Sequence, residues 1–327
     1  QTDDAHLIIE LQESNTSAET IHESFITIES DNAISGFRRT GQWASDQYLY
    51  FYAEFSEPFT GYGICSDNIE HPNMKHAEGK DLQAWLDFDV TDGQPIVMRV
   101  ATSAVDVDGA KKNLASEIND FDFDALAQKT YNQWNDELNR ININTVVNEN
   151  DMDVFYTSLY HCFIVPNLFS DVDGRYRAHD KKIYQSESPR YTVFSLWDTF
   201  RTEHPLLNLI QRERSVDIIN TFINNYETGG LLPVWELAAN ETFCMIGYHA
   251  IPVIADAYFA GLEGIDYEKA LEAMVNSANQ EHYGVGCYRE YGFIPSNCEG
   301  ESVSKTLEDA YDDWCIARLA EALGKQD

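Results

Sequence analysis

A chain of 327 residues with 43% hydrophobic content can fill one large core or two ordinary ones. Its 55 acidic against 22 basic side chains leave a net charge of −33, which repels phosphate and argues against nucleic acid or an anionic membrane surface as partner. No apolar run approaches the roughly 20 residues of a membrane span, and the balance suits a neutral ligand or one bridged by a cation.

The opening stretch, QTDDAHLIIEL, enters a strand at once with no signal peptide, so the sequence is expected to begin inside a larger protein. From there to about Val105 the apolar residues recur with period two. Leu49, Phe51, Ala53 and Phe55 alternate with Tyr48, Tyr50, Tyr52 and Glu54, and Leu86, Phe88 and Val90 alternate with Trp85, Asp87 and Asp89. Ile26 and Ile28 share a face. Short strands separated by Gly-, Asp- and Asn-rich turns predict an antiparallel β-sandwich over 1–120. The outward tyrosine row predicts a covered face, with the second half of the chain as the cover.

After about Asp120 the period lengthens to that of helices. DFDALAQKTYNQWNDELNRI predicts a linker helix within 121–145, with Leu126, Tyr131, Trp134 and Leu138 near one side. DMDVFYTSLYHCFIVPN predicts another helix. RERSVDIINTFINNYETGG sets Val216, Ile219, Phe222, Ile223 and Tyr226 on one stripe and stops at Gly229 and Gly230. CMIGYHAIPVIADAYFAG predicts an apolar helix ended by Gly261, and DYEKALEAMVNSAN one capped by Asp266. In ESVSKTLEDAYDDWCIARLAEALG, Val303, Leu307, Ala310, Trp314 and Ala317 have the spacing of a core seam. That leaves Glu308, Asp309, Asp312 and Asp313 to the solvated side. Residues 146–327 thus predict a helical domain of roughly six helices with structured loops.

Three stretches hold candidate chemistry. In SLWDTFRTEHPLL, Trp197, Asp198 and Arg201 lie at i, i+1 and i+4 of a helix start. Asp198 there caps backbone N–H groups with Arg201 paired to it or to Glu203. Alternatively Trp197 lies under a sugar ring while Asp198 accepts hydrogen bonds from two neighbouring hydroxyls. In LLPVWELAANETFCMIGYHA, Trp235, Glu236, Glu241, Tyr248 and His249 crowd together. Glu236 or Glu241 could act as a general acid or metal ligand. The plainer alternative has Glu236 solvated, Glu241 starting a helix and His249 hydrogen-bonded in a core. In CEGESVSKTLEDAYDDW, Glu299, Glu301, Glu308, Asp309, Asp312 and Asp313 have the composition of a metal site but not the spacing of a calcium loop.

The six cysteines form no C-x-x-C pair, which argues against a zinc ribbon. Cys287 and Cys298 flank one loop and are candidates to pair. Asn15-Thr16-Ser17 and Asn240-Glu241-Thr242 match the N-glycosylation pattern. Nucleophile-elbow, P-loop, dinucleotide and H-E-x-x-H motifs are all absent. Carboxylate chemistry on a neutral ligand is the enzymatic reading that remains.

Taken together, YTVFSLWDTFRTEHPLL, GGLLPVWELAANETFCMIGYHAIPVIADAYFAG and ESVSKTLEDAYDDWCIARLA resemble glycoside hydrolase family 92. GQWASDQYLYFYAEFSEPF resembles the last part of that family's sandwich, so the resemblance covers nearly the whole chain. It implies a multidomain β + α protein, an antiparallel β-sandwich followed by part of an (α/α)6 barrel, with 146–327 as the barrel's first half. It implies an inverting, calcium-dependent exo-α-mannosidase acting on terminal α-mannose of glycans. By the same resemblance Trp197 and Asp198 line the subsite for the terminal mannose, and Arg201 and His204 buttress the loop. Trp235, Glu236, Glu241, Tyr248 and His249 are carried into the substrate-binding set, calcium touches the mannose O2 and O3 hydroxyls, and the protein is exported to the periplasm or beyond.

The chain departs from the family in one respect. The family's general acid lies in a later E-G-N-x-W block and its base in a still later G-N-x-D-x-G-x-M-S-A-W block, and neither occurs here. Roughly 180 residues follow the linker helix, about half of what twelve barrel helices and their loops require. The expectation is an intact protein that hydrolyses α-mannosides and a chain that by itself lacks acid and base and is inactive, the rest of the barrel lying on another chain or fragment. Competing expectations are a non-catalytic glycan-binding or structural fragment, and a phosphorylase with a similar sandwich. The latter needs a basic phosphate site that the loops do not offer.

Overall fold

The computed structural model describes residues 4–12, 19–145 and 148–325. In chain order it forms strands β1 (Asp4–Glu10), β2 (Thr20–Ile28), β3 (Ala33–Gly41), β4 (Gln47–Phe55), β5 (Gly61–Ser66), β6 (Ile69–Pro72), β7 (His76–Gly79), β8 (Leu82–Asp89) and β9 (Met98–Ser103). Helices α1 (Val107–Glu117), α2 (Phe123–Leu138) and α3 (Glu149–His161) follow. Short strands β10 (Asn167–Leu168), β11 (Arg175–Arg177), β12 (Ile183–Gln185), β13 (Tyr191–Thr192) and β14 (Phe194–Ser195) lead into α4 (Leu196–Thr199), α5 (Glu203–Ile210) and α6 (Arg212–Gly229). The hairpin β15 (Trp235–Leu237) and β16 (Asn240–Glu241) precedes α7 (Ala250–Phe259), α8 (Tyr267–Ser277), α9 (Val285–Tyr291) and α10 (Ser302–Ala322). The Asn15-Thr16-Ser17 match lies outside the described residues.

The chain divides into two compact units. One is Gln1–Glu137 with Phe169–Arg177 and Ile183–Glu187; the other is Leu138–Leu168 with Ala178–Lys182 and Ser188–Asp327. The first holds two large antiparallel sheets, of order β1-β8-β5-β6 and β7-β2-β3-β4-β9, and the small antiparallel pair β11-β12. Their inward side chains form one apolar cluster: Ile26, Ile28, Ile34, Ala53 and Phe55 from the five-stranded sheet, and Ile64, Leu82, Ala84, Leu86 and Phe88 from the four-stranded one. The alternation of Leu86 and Phe88 against Asp87 and Asp89 is realised, since period two sends every second side chain to one face. Each large side chain buried there contributes about 1.5–3 kcal/mol of transfer free energy.

The outward tyrosine face is covered in part from within this unit, by α1 and by Arg177, whose guanidinium lies 3.9 Å over the Tyr48 ring. Asp106 caps α1 by accepting from the Gly109 N–H at 2.7 Å, and α1 packs on β9, β4 and β3. Lys111 of α1 sits over the Tyr52 ring at 5.0 Å. Buried Asp171 accepts from Ser103 Oγ and Asn113 Nδ2, both at 2.8 Å, and ties the helix to the sheet.

In the second unit α5, α6, α7, α8 and α10 pack on one another. Helix α6 buries Ile218, Ile219, Phe222 and Ile223 and ends at Gly230, whose φ of 89° is the left-handed cap that glycine adopts without strain. Asp266 caps α8 by accepting from the Lys269 N–H at 3.0 Å. Cys287 and Cys298 are joined in a disulfide. Helix α7 begins only at Ala250, so His249 stands at its N-cap and not inside an apolar helix.

Helix α10 reverses its expected orientation. Val303, Leu307 and Trp314 are 74%, 68% and 57% exposed, and Ala310 and Ala317 are exposed as well. The buried stripe is Lys305, Asp309, Asp312, Cys315 and Leu319, with Asp309 at 1% and Asp312 at 0%. These aspartates are therefore not a solvated face. No helix among the described residues is long and apolar enough to cross a membrane.

Candidate functional site

Local pairing fixes the start of the Trp197 segment. Strand β14 pairs with β15, so Ser195 lies opposite Trp235 and Phe194 opposite Glu236. Phe194 is buried edge-on to Phe222, with ring centroids 4.8 Å apart. Leu196 is buried, which turns the next two residues outward: Trp197 is half-buried and Asp198 exposed. Asp198 does not cap the helix. Its Oδ2 accepts from Ser195 Oγ at 2.5 Å, and α4 has no side-chain cap.

Arg201 pairs with neither Asp198 nor Glu203. Its Nη2 donates to Glu308 Oε1 at 2.7 Å, and its guanidinium lies 4.7 Å over the Phe200 ring. Glu203 is left with a buried Oε1 that has no hydrogen-bond partner. Burial, then the neighbouring charge of Asp198, pushes its carboxyl up to about 7. His204 is buried edge-on to Phe222, and burial pulls its imidazole down to about 4, so it is neutral at pH 7. Trp197 Nε1 is likewise buried without a partner.

Glu236 and Glu241 are occupied by their own hairpin. Glu236 is buried, not solvated; it accepts from Thr192 Oγ1 at 2.9 Å, from the Val193 N–H at 3.1 Å and from the Ala239 N–H at 2.6 Å. Glu241 starts no helix; it sits in β16 and accepts from the N–H groups of Val234, Trp235 and Phe243 at 2.8, 3.0 and 2.7 Å. Ala238 and Ala239 both hold positive φ, 49° and 61°, the pair of left-handed residues that a tight hairpin turn requires. The Glu236 bond to Ala239 helps hold that turn against the cost of a Cβ there. Burial raises both carboxyls, Glu236 to about 8, against the donors that lower them.

Tyr248 and His249 are buried against α10. His249 Nδ1 lies 2.8 Å from Asp312 Oδ1, while Asp312 Oδ2 accepts from the Tyr248 N–H at 2.9 Å. Tyr248 Oη donates to Asp313 Oδ1 at 3.0 Å. The His249 ring stacks on Phe200 with centroids 4.0 Å apart, and its Nε2 is 3.5 Å from Glu308 Oε2. Gly247, at φ 76°, admits this ring because any Cβ there would collide with it. Glu308 thus joins Arg201 on one side to His249 on the other. It links the Trp197 segment, the Tyr248-His249 turn and α10.

Sequence reasoning missed that link. The available signal was a second stripe in α10, polar, at Lys305, Glu308, Asp309 and Asp312. Lys305 is buried, 2.9 Å from Glu299 and 4.0 Å over the Tyr283 ring. Asp309 has both carboxyl oxygens buried without partners. Burial, then the charges of Asp312 and Asp313, pushes it up to about 8.

Among the described residues no group of three or more His, Cys, Asp or Glu side chains is arranged to hold a metal ion. Glu308, Asp312 and Asp313 are committed to Arg201, His249 and Tyr248, while Asp309 keeps both oxygens without partners.

Residues 1–103 match the Glycosyl hydrolase family 92 N-terminal domain, and residues 109–327 match the Glycosyl hydrolase family 92 catalytic domain. The fold superposes on a family GH92 alpha-mannosidase from Bacteroides thetaiotaomicron, solved in complex with mannoimidazole, with a TM-score of 0.93 and 38% identity. That match covers 99% of this chain and 43% of the mannosidase. A family GH92 inverting mannosidase from Bacteroides thetaiotaomicron VPI-5482 matches with a TM-score of 0.88 and 31% identity, covering 99% and 44%. An uncharacterized secreted glycosidase from Arthroderma benhamiae is 25% identical over 264 residues, 74% of this chain and 30% of that protein. The chain spans less than half the length of each of these relatives.

Proposed function

The chain belongs to glycoside hydrolase family 92, and from that premise we propose that the complete protein is an exported, inverting exo-α-mannosidase that releases terminal α-mannose from glycans. The observation that carries this reading is the 38% identity over 99% of the chain to an alpha-mannosidase solved with mannoimidazole. The secreted glycosidase relative supports export.

In this reading Trp197 offers part of its ring to the C–H face of the mannose. Asp198, exposed on the next residue, accepts from two adjacent hydroxyls. Arg201 is held by Glu308, and His249 by Asp312, so the wall behind the sugar is rigid before it binds. That preorganisation means the sugar does not bear the entropic cost of ordering the wall. Glu236 and Glu241 shape the β15–β16 turn that sets Trp235 opposite Ser195; neither is assigned acid or base. Inversion needs two carboxyl groups roughly 6.5–9.5 Å apart with a water between them, and the blocks that hold them in the family are absent from this sequence. The chain alone is accordingly proposed to bind mannose without cleaving it. Calcium, when bound, would polarise the sugar hydroxyls.

The test is turnover of p-nitrophenyl α-mannoside, with calcium and with a chelator, by this chain and by the complete protein. Turnover confined to the complete protein and lost with the chelator is expected. Turnover by the chain alone would move the catalytic carboxylates into these residues.

A further inference from the structure

The first unit contains a groove that the mannosidase reading does not use. Phe25 of β2, Phe37 of β3 and Tyr50 of β4 stand in register, Phe25 opposite Phe37 and Phe37 opposite Tyr50. They point away from the apolar core, to which Ile26, Ile34 and Ala53 belong. Phe37 and Tyr50 stack at 4.3 Å, and Phe25 lies 5.6 Å from Phe37. Together they line a groove of about 550 Å³, within the range of small-ligand sites, roughly 300–1,000 Å³.

The remaining lining is polar and mixed in sign. A register irregularity in β2 between Ile21 and Glu23 takes His22 out of the ladder, and His22 lines the groove. Bulges of this kind re-aim a side chain at the rim of a site. Glu23 and Glu78 supply carboxylates, and Lys80 supplies an ammonium with no carboxylate in ion-pair range among the described residues. Tyr50 adds a hydroxyl that is not committed to a hydrogen bond among the described residues. Arg39 is paired to Glu23 at 3.1 Å, so the charges around the groove balance and give an anionic ligand no net attraction, and the polar rim is wrong for an acyl chain. An aromatic floor with donors and acceptors on one rim is the chemistry that recognises a neutral polyol.

We propose that this groove is a second saccharide-binding site, taking a short neutral segment of a glycan on residues of the first unit, none of which belongs to the Trp197 segment. The choice of a mannose-containing glycan rests on the mannosidase reading; the groove's preference for a neutral sugar does not.

The experiment is ligand-observed saturation-transfer NMR with methyl α-mannoside and α-mannobiose, up to about 20 mM as befits a weak site. It is run on the 327-residue chain carrying Asp198→Ala, so that the Trp197 segment contributes little. Binding is expected to persist in that background. It should weaken at least about 10-fold with Phe25→Ala, and likewise with Glu78→Ala and Lys80→Ala together. The last two side chains are exposed, so the double variant keeps the fold if Phe25→Ala does not. Binding that disappears with Asp198→Ala alone, or is indifferent to both groove variants, overturns the proposal. So does a groove that binds in the chain but not in the complete protein, because polypeptide would then cover it. Failure of the mannosidase reading looks different: the complete protein would not cleave p-nitrophenyl α-mannoside, while groove binding to the chain would remain.

Discussion

Strand β8 and helix α10 are both amphipathic, and they resolve their two faces in opposite ways. Strand β8 buries Leu82, Ala84, Leu86 and Phe88 in the sandwich core, as its period demands. Helix α10 buries Lys305, Asp309 and Asp312 and turns Val303, Leu307 and Trp314 to solvent. Periodicity identifies two faces; it does not say which one meets a partner first. In α10 the polar face found His249, Tyr248 and Arg201, whose bonds offset the desolvation of the carboxylates. The apolar face found nothing among the described residues. An exposed apolar stripe of this length marks a contact surface, and the relatives that share this fold are more than twice as long.

The sharpest way to break this contrast is truncation on each element. Leu86→Ala opens a cavity in the sandwich and is expected to cost about 2–5 kcal/mol in chemical denaturation. Leu307→Ala in this chain should fall within about 0.5 kcal/mol of wild type, as exposed positions do. Equal costs would mean that α10 is already covered in solution, by a second copy or otherwise. Next in size is Asp198→Ala in the complete protein, read as kcat/KM on p-nitrophenyl α-mannoside. Loss of a well-placed hydrogen-bonding group predicts a deficit of about 2–4 kcal/mol in transition-state binding. Unchanged kinetics would remove Asp198 from the sugar site.

A third test is the pH dependence of the second unit. Burial pushes the folded carboxyl of Asp309 up to about 8, from an ordinary value of 3.8. Its unfolded form therefore loses its proton first, and stability present below about pH 4 drains away as pH rises toward about 8. The slope is at most about 1.4 kcal/mol per pH unit for one such group. Thermal melts should accordingly be higher at pH 5 than at pH 8, and Asp309→Asn should flatten the difference. Glu203 and Glu236, raised to about 7 and about 8, act in the same direction and leave a residual slope.

The candidate site was legible in its composition and not in its wiring. Trp197, Asp198, Trp235, Tyr248 and His249 could be picked out because aromatic and ionisable residues sit inside apolar frames. Glu236 and Glu241 read as free acids because sequence shows a side chain but not the N–H groups that will surround it. Arg201 was expected to pair within its own turn, where helix spacing brings candidates close. Its partner, Glu308, lies 107 residues away.

Local chemistry alone settled a great deal: the two periods, the cap at Asp266, the stop at Gly230 and the family signature. These depend on neighbours a few residues apart, which the order of amino acids specifies directly. Tertiary structure decided which face of α10 is inside, which carboxylates lose their water and which bases they hold. Those outcomes depend on groups distant in sequence, and desolvation is a property of a filled volume, not of a residue.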